Sequence, residues 1–242
     1  MSQITVLLMP WGRVGSNLVN SIVQKSRACR VWNESLTAVR TRVIGGGGTQ
    51  PDVWPAQLEW MREHIGESEE ERIFLNVNAN ALGDAAAFRE YLGGFSPNYL
   101  ILDRKDDLAT AVSALRTRAW VNEAAEKGEA RSWAIPRGLE VQFRPFINPL
   151  NLKAAFANIE RGRQNIAEIT RDAGARRFFY EQMVEDMRGV VIEILAEAGI
   201  PAYDFKVTSG KFGSTKLSDM VENAEELMRI AAEQGTATEL SV

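Results

Sequence analysis

The chain has 242 residues, of which 45% are hydrophobic and 25% charged, and its formal net charge at pH 7 is −4. This length and composition predict one globular domain over residues 1–242, and the negative charge disfavours a protein that binds nucleic acid through a broad basic surface. The one cysteine, Cys29, excludes an internal disulfide and a cysteine-based zinc site, and it is typical of the reducing cytoplasm, where we expect the protein. The first apolar run, residues 4–9, is too short for a membrane span, so we expect a soluble protein.

The first elements predict a nucleotide-binding α/β fold. Residues 4–9 stop at Pro10 and are typical of a strand that is buried on both faces of a parallel sheet. A turn with two glycines follows, and apolar residues then recur at helical spacing over residues 17–26. Further strands are predicted at residues 72–77, 99–102 and 177–180, each close to a helical stretch. This alternation indicates a P-loop-like three-layer fold with a central parallel sheet flanked by helices.

The later elements are mostly helical. Residues 45–48 are four consecutive glycines and predict a flexible loop. Long helices are predicted over residues 152–172 and 181–198, and a last helix is predicted from about residue 217 to residue 233.

The turn after the first strand is a predicted anion site. Backbone N–H groups and the dipole of the following helix converge there, and Arg13 adds a cation, while Ser16 and Asn17 add side-chain donors. The turn lacks the spacing and the lysine of the G-x-x-x-x-G-K-[ST] phosphate loop, so it is not a standard ATPase loop. An ordinary tight turn with a surface arginine is the alternative interpretation.

The same turn resembles the 5′-phosphosulfate loop of sulfotransferases, in which R-x-G-[ST]-[ST/N]-L follows the first strand. The resemblance implies a sulfotransferase that uses 3′-phosphoadenosine 5′-phosphosulfate (PAPS) as sulfuryl donor and needs no metal. It assigns donor binding to Arg13, Val14, Gly15, Ser16, Asn17 and Leu18.

A second stretch is similar to the family's 3′-phosphate segment. The strand at residues 99–102 runs into Arg104 and Lys105, and the next helix carries Ala-Val-Ser with Ser113, as in the family's R-[RK]-D and A-V-S. The resemblance implies that Ser113 and one of the two basic residues hold the 3′-phosphate. Arg104 is the better match because a guanidinium binds phosphate through two donors, and Lys105 stays open.

Two further stretches follow in the family's order. Tyr180 opens a segment similar to the family's Y-E-x-[LM] passage, which implies a place near the adenine, with core packing as the alternative. The segment from residue 209 to 223 looks like the family's basic, glycine-bearing loop before its last helix. Lys211 and Lys216 are its candidate phosphate ligands, and a mobile surface loop is the alternative.

Transfer to a hydroxyl requires stabilisation of the departing phosphate and a base for the proton. We assign the first role to Arg13 and the loop amides. Glu34 follows the first helix, where the family's carbohydrate branch carries a catalytic glutamate, so the resemblance implies that Glu34 is the base. An ordinary surface carboxylate is the alternative for Glu34. His64, the only histidine, is the other candidate base, although its neighbours indicate the exposed face of a helix.

The resemblance is strongest to the bacterial carbohydrate-type branch, which includes trehalose and nodulation-factor sulfotransferases. It implies a carbohydrate, glycolipid or other small-molecule acceptor, and a homodimer as one assembly open to the chain. Asn78 departs from the pattern, because many relatives have a lysine at this place. This departure favours a catalytically silent phosphonucleotide- or carbohydrate-binding protein as a competing function. A P-loop-type small-molecule kinase, which shares the parallel sheet, is the other, although the missing phosphate-loop lysine argues against it.

Overall fold

The computed structural model describes residues 2–129, 143–206, 216–236, 238, 240 and 241. Within them the strands are β1 (Gln3–Met9), β2 (Arg30–Asn33), β3 (Arg72–Asn78), β4 (Asn98–Asp103) and β5 (Ala175–Phe179). The α-helices of the same residues are α1 (Ser16–Ser26), α2 (Ser35–Gly45), α3 (Gln50–Met61), α4 (Ala85–Gly93), α5 (Asp107–Glu126), α6 (Pro149–Ile169), α7 (Tyr180–Glu185), α8 (Met187–Glu197) and α9 (Ala224–Glu233). None of these helices combines the length and the apolar character needed to cross a membrane.

The chain divides into two compact units. The first consists of Met1–Asp103 and Ile159–Phe205, and it contains the whole sheet. The second consists of Arg104–Asn158 and Lys206–Val242. One domain over residues 1–242 stays a prediction.

The sheet of the first unit is entirely parallel, with the strand order β2-β3-β1-β4-β5. The central strand β1 pairs with β3 from Gln3↔Arg72 to Met9↔Asn78, and it pairs with β4 on its other side. Since every strand runs the same way, the carboxyl ends of all five lie along one edge. The predicted α/β class, with a central parallel sheet flanked by helices, is confirmed.

Helices cover both faces of this sheet. One face presents alternate strand residues such as Val6, Leu75 and Ile101 to a core that includes side chains of α2, α4 and α6. The alternate residues on the opposite face, among them Leu7 and Leu100, are fully buried as well. On that face α1 contacts β2 and β3, and α8 contacts β4. Burial on both faces explains why the strands are continuous apolar runs.

Two predicted helices need correction, and one strand was missed. The predicted helix over residues 181–198 is wrong at Asp186, where the backbone leaves the helical region and the carboxylate accepts the Gly189 N–H, so that α7 ends and α8 begins. The last helix starts at Ala224 instead of residue 217, after a separate 3-10 turn at Leu217–Asp219. The strand β2 was not predicted.

The four glycines end α2 and form the turn that follows it. Gly45 is the last residue of α2, and the Gly46 N–H donates to the Arg42 carbonyl. Thr49 then caps α3 through a capping box with Asp52, whose carboxylate accepts the Thr49 N–H at 2.7 Å. The loop predicted at residues 45–48 is therefore a short connection between two helices.

In the second unit, α5 begins behind the cap residue Asp106, whose carboxylate accepts the Ala109 N–H at 2.7 Å. The other oxygen of that carboxylate accepts the Thr238 hydroxyl at 3.0 Å. The side chain of Asn223, at the start of α9, bonds to both backbone polar groups of Ile147. These contacts connect parts of the unit that are far apart in the sequence.

Candidate functional site

The carboxyl edge of the parallel sheet collects the predicted site residues of the first unit. In open α/β sheets this edge is where ligands bind. The loop with Arg13 follows β1, Glu34 follows β2, Asn78 ends β3 and Tyr180 follows β5. These residues come from four separate segments of the sequence, and the strand topology alone places them along one edge.

The loop between β1 and α1 has an uncommon backbone. Arg13 has φ +72° and Gly15 has φ +93°, both in the left-handed region. For a residue with a side chain this conformation costs about 1–2 kcal/mol, so the rest of the loop must hold Arg13 in it. Such strain concentrates at ligand sites, and it occurs here at the arginine that the sequence singles out.

Among the residues that the structure describes, no side chain caps the first turn of α1 at Gly15. The Gly15 carbonyl accepts the Leu18 and Val19 N–H groups. Val14 and Leu18 are buried and anchor the loop on the core, and Ser16 is buried at the first helical position. Asn17, in contrast, is exposed. A helix N-terminus of this kind favours an anion.

Two packing contacts fix the loop from outside. A Cβ built on Gly15 would lie 3.2 Å from Tyr180 Cδ2 and 3.3 Å from Met183 Cε, so α7 lies directly against the loop. A Cβ on Gly162 would lie 1.8 Å from the Pro10 carbonyl oxygen, so only glycine lets α6 approach the end of β1 this closely. Tyr180 is half-buried and lies beside the loop that the resemblance assigns to the donor.

Glu34 is the second non-glycine residue of this edge with a left-handed backbone, with φ +50° at the N-cap of α2. Burial raises the pKa of the Glu34 carboxyl, and the charge of Arg13 acts in the opposite direction. The two residues assigned catalytic roles therefore interact electrostatically. The Glu34 N–H also donates to the Asn76 carbonyl at 3.1 Å, which ties the residue to β3.

Asparagine side chains line the same edge beside Glu34. The exposed Asn33 accepts at its Oδ1 the amide N–H groups of Asn20, at 2.6 Å, and of Asn76, at 3.0 Å. The Oδ1 atoms of Asn20, Asn76 and Asn78 are buried and have no hydrogen-bond partner among the described residues. Asn78 lies two residues after Asn76 in β3, so its neutral amide is on the same face of the sheet.

A buried carboxylate at the end of β4 holds two arginines. The side chain of Asp103 is 4% exposed, and its oxygens accept N–H groups of Arg163 in α6 at 3.3 Å and of Arg177 in β5 at 2.8 Å. Sequence analysis missed all three residues. The only signal was a charge at the end of an apolar strand, because the partners lie 60 and 74 positions away.

The remaining predicted phosphate ligands belong to the second unit. Arg104 is half-buried and Lys105 exposed between β4 and α5, and Ser113 is a buried residue of α5 whose carbonyl accepts the Thr117 hydroxyl at 2.7 Å. Lys216 is exposed at the N-cap of the 3-10 turn. Lys211 lies outside the described residues.

His64 lies in a π-helical turn, Arg62–Gly66, and is not on a fully exposed helix face. Its ring stacks on Trp60 with centroids 4.5 Å apart, and its Nδ1 lies 2.9 Å from the Trp60 carbonyl oxygen. These contacts give His64 a packing role. Among the described residues no group of three or more His, Cys, Asp and Glu is placed to hold a metal ion.

Comparison with solved structures finds sulfotransferase domains. The chain is similar to the sulfotransferase domain from the Synechococcus PCC 7002 olefin synthase, with a TM-score of 0.43 and 10% identity over 98% of this chain and 96% of that one. It is similar to the sulfotransferase domain from the curacin biosynthetic pathway, with a TM-score of 0.42 and 11% identity over 98% of each chain. No family model matches the chain, and no curated protein matches it.

Proposed function

We propose that this protein is a PAPS-dependent sulfotransferase that transfers a sulfuryl group to a hydroxyl of a small acceptor. The observation that carries the proposal is the presence of a strained Arg13 and a half-buried Glu34 at the same sheet edge. Arg13 lies in the loop before α1, whose first turn has no side-chain cap among the described residues, and its charge acts on the pKa of Glu34. An anion site next to a carboxylate of raised pKa supplies the two functions that sulfuryl transfer needs.

The donor fits the groups of the first loop. The uncapped N–H groups of α1, the Arg13 guanidinium and the Ser16 and Asn17 side chains are all hydrogen-bond donors, as the oxygens of a phosphosulfate require. Tyr180, beside Gly15, is proposed to contact the adenine. Arg104, with Lys105 as the alternative, Ser113 and the lysines Lys211 and Lys216 are proposed for the phosphates on the strength of the resemblance.

The residues of the chain then have distinct roles. PAPS, when bound, supplies the sulfuryl group, whose bond to the 5′-phosphate breaks as the acceptor oxygen binds sulfur. Arg13 and the loop amides stabilise the charge that develops on the 5′-phosphate. Glu34 takes the proton of the acceptor hydroxyl, and its raised pKa brings its proton affinity closer to that of a base working near neutral pH.

Calorimetry with 3′-phosphoadenosine 5′-phosphate, the product form of the donor, tests the cofactor. We expect Arg13→Ala and Arg104→Ala each to weaken binding about tenfold or more, the loss expected for a charge-assisted hydrogen bond. Arg42→Ala, which changes an exposed arginine at the end of α2, should bind as the wild type does. No binding by the wild type, or a preference for ATP with magnesium, would exclude the proposal and favour a kinase.

A catalytically silent binding protein is the second candidate, and Asn78 is the observation that favours it. A neutral amide at this place offers less charge stabilisation than the lysine of many relatives. Binding of 3′-phosphoadenosine 5′-phosphate without turnover against a panel of hydroxyl acceptors would support this second function. A carbohydrate or glycolipid acceptor and a homodimer are also proposals, the second open to light scattering.

A further inference from the structure

Helix α6 lies across the carboxyl ends of three strands. Its Asn165 amide donates to the first carbonyl after β3 at 2.8 Å, and its Gly162 packs directly against the Pro10 carbonyl, which follows β1. Arg163 lies between them in the sequence, and it donates to Asp103 at the end of β4 from both Nε and Nη2, each at 3.3 Å. The helix therefore holds the Arg163 side chain at the edge of the sheet where ligands bind.

Arg177 reaches the same carboxylate from β5. It pairs with Ile101 in the β4–β5 register, and Asp103 is two residues after Ile101, so all three side chains lie on the face of the sheet that α6 covers. Nη1 of Arg177 donates to Oδ2 of Asp103 at 2.8 Å. The carboxylate thus fixes two guanidiniums next to each other, one from the helix and one from the sheet.

Solvent reaches Arg163 and Arg177, the arginine pair, and hardly reaches the carboxylate. The two arginine side chains are 30% and 42% exposed, whereas that of Asp103 is 4% exposed. Two guanidiniums and one carboxylate have a net charge of +1, and the positive groups are the ones at the surface. A dissolved cation cannot reach the carboxylate, while an anion can contact the guanidiniums, so this arrangement selects an anionic ligand.

The arginine pair is close to the loop that is proposed for the donor. The β1–β4 register pairs Leu8 with Ile101, and its continuation places Asp103 level with Pro10 on the neighbouring strand, about 5 Å away. Arg13 is three residues beyond Pro10, and three residues of chain span at most about 11 Å. The Cα atoms of Asp103 and Arg13 are therefore at most about 16 Å apart, so one small molecule can contact the arginine pair and the donor at once.

We infer that the arginine pair binds a phosphate or carboxylate group of the ligand, and that Asp103 is the residue that positions the two guanidiniums. The identity of the ligand rests on the proposed function: the acceptor then carries an acidic group in addition to its hydroxyl. The resemblance already assigns the 5′-phosphosulfate of the donor to the first loop and its 3′-phosphate to other residues. The arginine pair is left for the acceptor, and the 3′-phosphate of the donor is the other source of the anion that the experiment must separate.

Ligand-observed NMR titration tests the inference with glycerol 3-phosphate as probe and glycerol as its uncharged counterpart, at up to about 20 mM. The protein is saturated with 3′-phosphoadenosine 5′-phosphate, so that the Arg13 loop is filled. We expect glycerol 3-phosphate to bind the wild type, and Arg177→Gln to weaken this binding about tenfold or more, the loss expected for a charge-assisted hydrogen bond. Arg176→Gln is the matched control, because it removes the same charge from the next residue of β5, on the opposite face, where the side chain pairs with two glutamates of α8. This control should leave binding unchanged.

Asp103→Asn separates positioning from attraction by charge. It raises the net charge of the three side chains from +1 to +2, so attraction alone would tighten the binding of glycerol 3-phosphate. If Asp103 positions the arginine pair, binding should weaken instead, by about tenfold, because the guanidiniums are no longer preorganised. Arg163→Lys, which keeps the charge and loses the two-point contact with Asp103, repeats the test with a milder change. Tighter or unchanged binding in both variants would exclude the positioning role.

Other results would overturn the inference as a whole. They are no binding of glycerol 3-phosphate by the wild type, equal binding by the wild type and Arg177→Gln, and binding of glycerol as tight as that of its phosphate. Calorimetry on the free protein identifies the source of the anion. If Arg177→Gln weakens the binding of 3′-phosphoadenosine 5′-phosphate and not that of adenosine 5′-phosphate, the pair binds the donor and the acceptor assignment is wrong. If the wild type binds neither nucleotide, the sulfotransferase is excluded, and binding of glycerol 3-phosphate that depends on Arg177 keeps the arginine pair alone.

Discussion

Tyr180 lies against Gly15, so that a Cβ added to Gly15 would stand 3.2 Å from Tyr180 Cδ2. The sequence resemblance assigns the tyrosine to the adenine and the glycine to the phosphosulfate, although 165 positions separate them (180 − 15). The contact shows that α7 packs directly against the loop between β1 and α1. A change at Gly15 should therefore affect both the backbone of the loop and the position of the tyrosine ring.

Gly15→Ala should lower both stability and nucleotide binding. Alanine in the left-handed region at φ +93° costs about 1–2 kcal/mol, and its methyl group would also press on Tyr180 and Met183. The control is Gly12→Ala in the same loop, where a Cβ would meet no atom within 4 Å. Chemical denaturation and calorimetry measure both effects, and equal behaviour of the two variants would contradict the described loop.

Gly162→Ala should displace α6 from the end of β1. The added Cβ would lie 1.8 Å from the Pro10 carbonyl oxygen, a backbone atom that cannot rotate away, so we expect a loss of about 1–3 kcal/mol in the free energy of unfolding. Gly174→Ala has no atom within 4 Å of its Cβ and should be close to neutral. Urea denaturation compares the two, and a neutral Gly162→Ala would show that this close approach is absent.

Glu34→Gln should remove a pH dependence of stability. Because burial raises the pKa of Glu34 in the folded protein, stability from this group is complete below the unfolded pKa and is lost as the pH rises through the folded pKa. Glutamine does not titrate, so the Tm of the variant relative to the wild type should rise as the pH is raised above about 4, the ordinary pKa of glutamate. A constant difference in Tm between the variant and the wild type over this pH range would contradict a raised pKa of Glu34.

The same Glu34→Gln variant separates catalysis from binding. We expect sulfuryl transfer to fall by about two orders of magnitude or more, since a positioned base contributes that much, while nucleotide affinity is kept. Unchanged transfer in Glu34→Gln would exclude Glu34 as the base.

Asp103→Asn should destabilise the fold by about 2 kcal/mol, because it leaves Arg163 and Arg177 beside each other without the buried carboxylate between them. The value is below that for a fully buried ion pair since the two arginines are 30% and 42% exposed. The control is Asp204→Asn, which removes an exposed pair with Arg188 and should change stability by less than about 1 kcal/mol. Equal effects in guanidinium denaturation would contradict a structural role for Asp103.

Cys29 should react slowly with thiol reagents. Burial raises the pKa of its thiol to about 11, so about one molecule in a thousand carries the reactive thiolate at pH 8. Labelling with a chromogenic disulfide should be slow in the folded protein and fast in denaturant. Rapid labelling of the folded protein would place Cys29 in a more open environment.

Most strands that could be predicted from the sequence are buried on both faces, and the edge strand β5 is the exception. β1, β3 and β4 are apolar runs that stand out against their flanks. β2 has four residues, with exposed Arg30 and Asn33 at its ends, and its pairing with β3 is not visible in its own composition. Local composition therefore predicts the central strands of the sheet and fails to predict the short edge strand β2.

The candidate site could also be predicted only in part. The first loop could be predicted because its residues are contiguous, whereas the asparagine side chains beside Glu34 and the arginines at Asp103 depend on pairs that lie 13 to 74 positions apart. One signal was present, since Asn76 and Asn78 interrupt a strand that is otherwise apolar. Two amides at alternate positions of a buried strand indicate a polar cluster on one face.

The order of the strands along the chain determines which strand edge stays unpaired during synthesis. The first compact unit is split in the sequence, and β5, which completes the sheet beside β4, comes 71 residues after β4 ends (175 − 103 − 1). While the ribosome makes that interval, the outer edge of β4 presents unpaired N–H and C=O groups on a hydrophobic strand. The nascent chain is therefore most open to wrong pairing before Phe179 emerges, and slowing translation between β4 and β5 should lower the yield of folded protein.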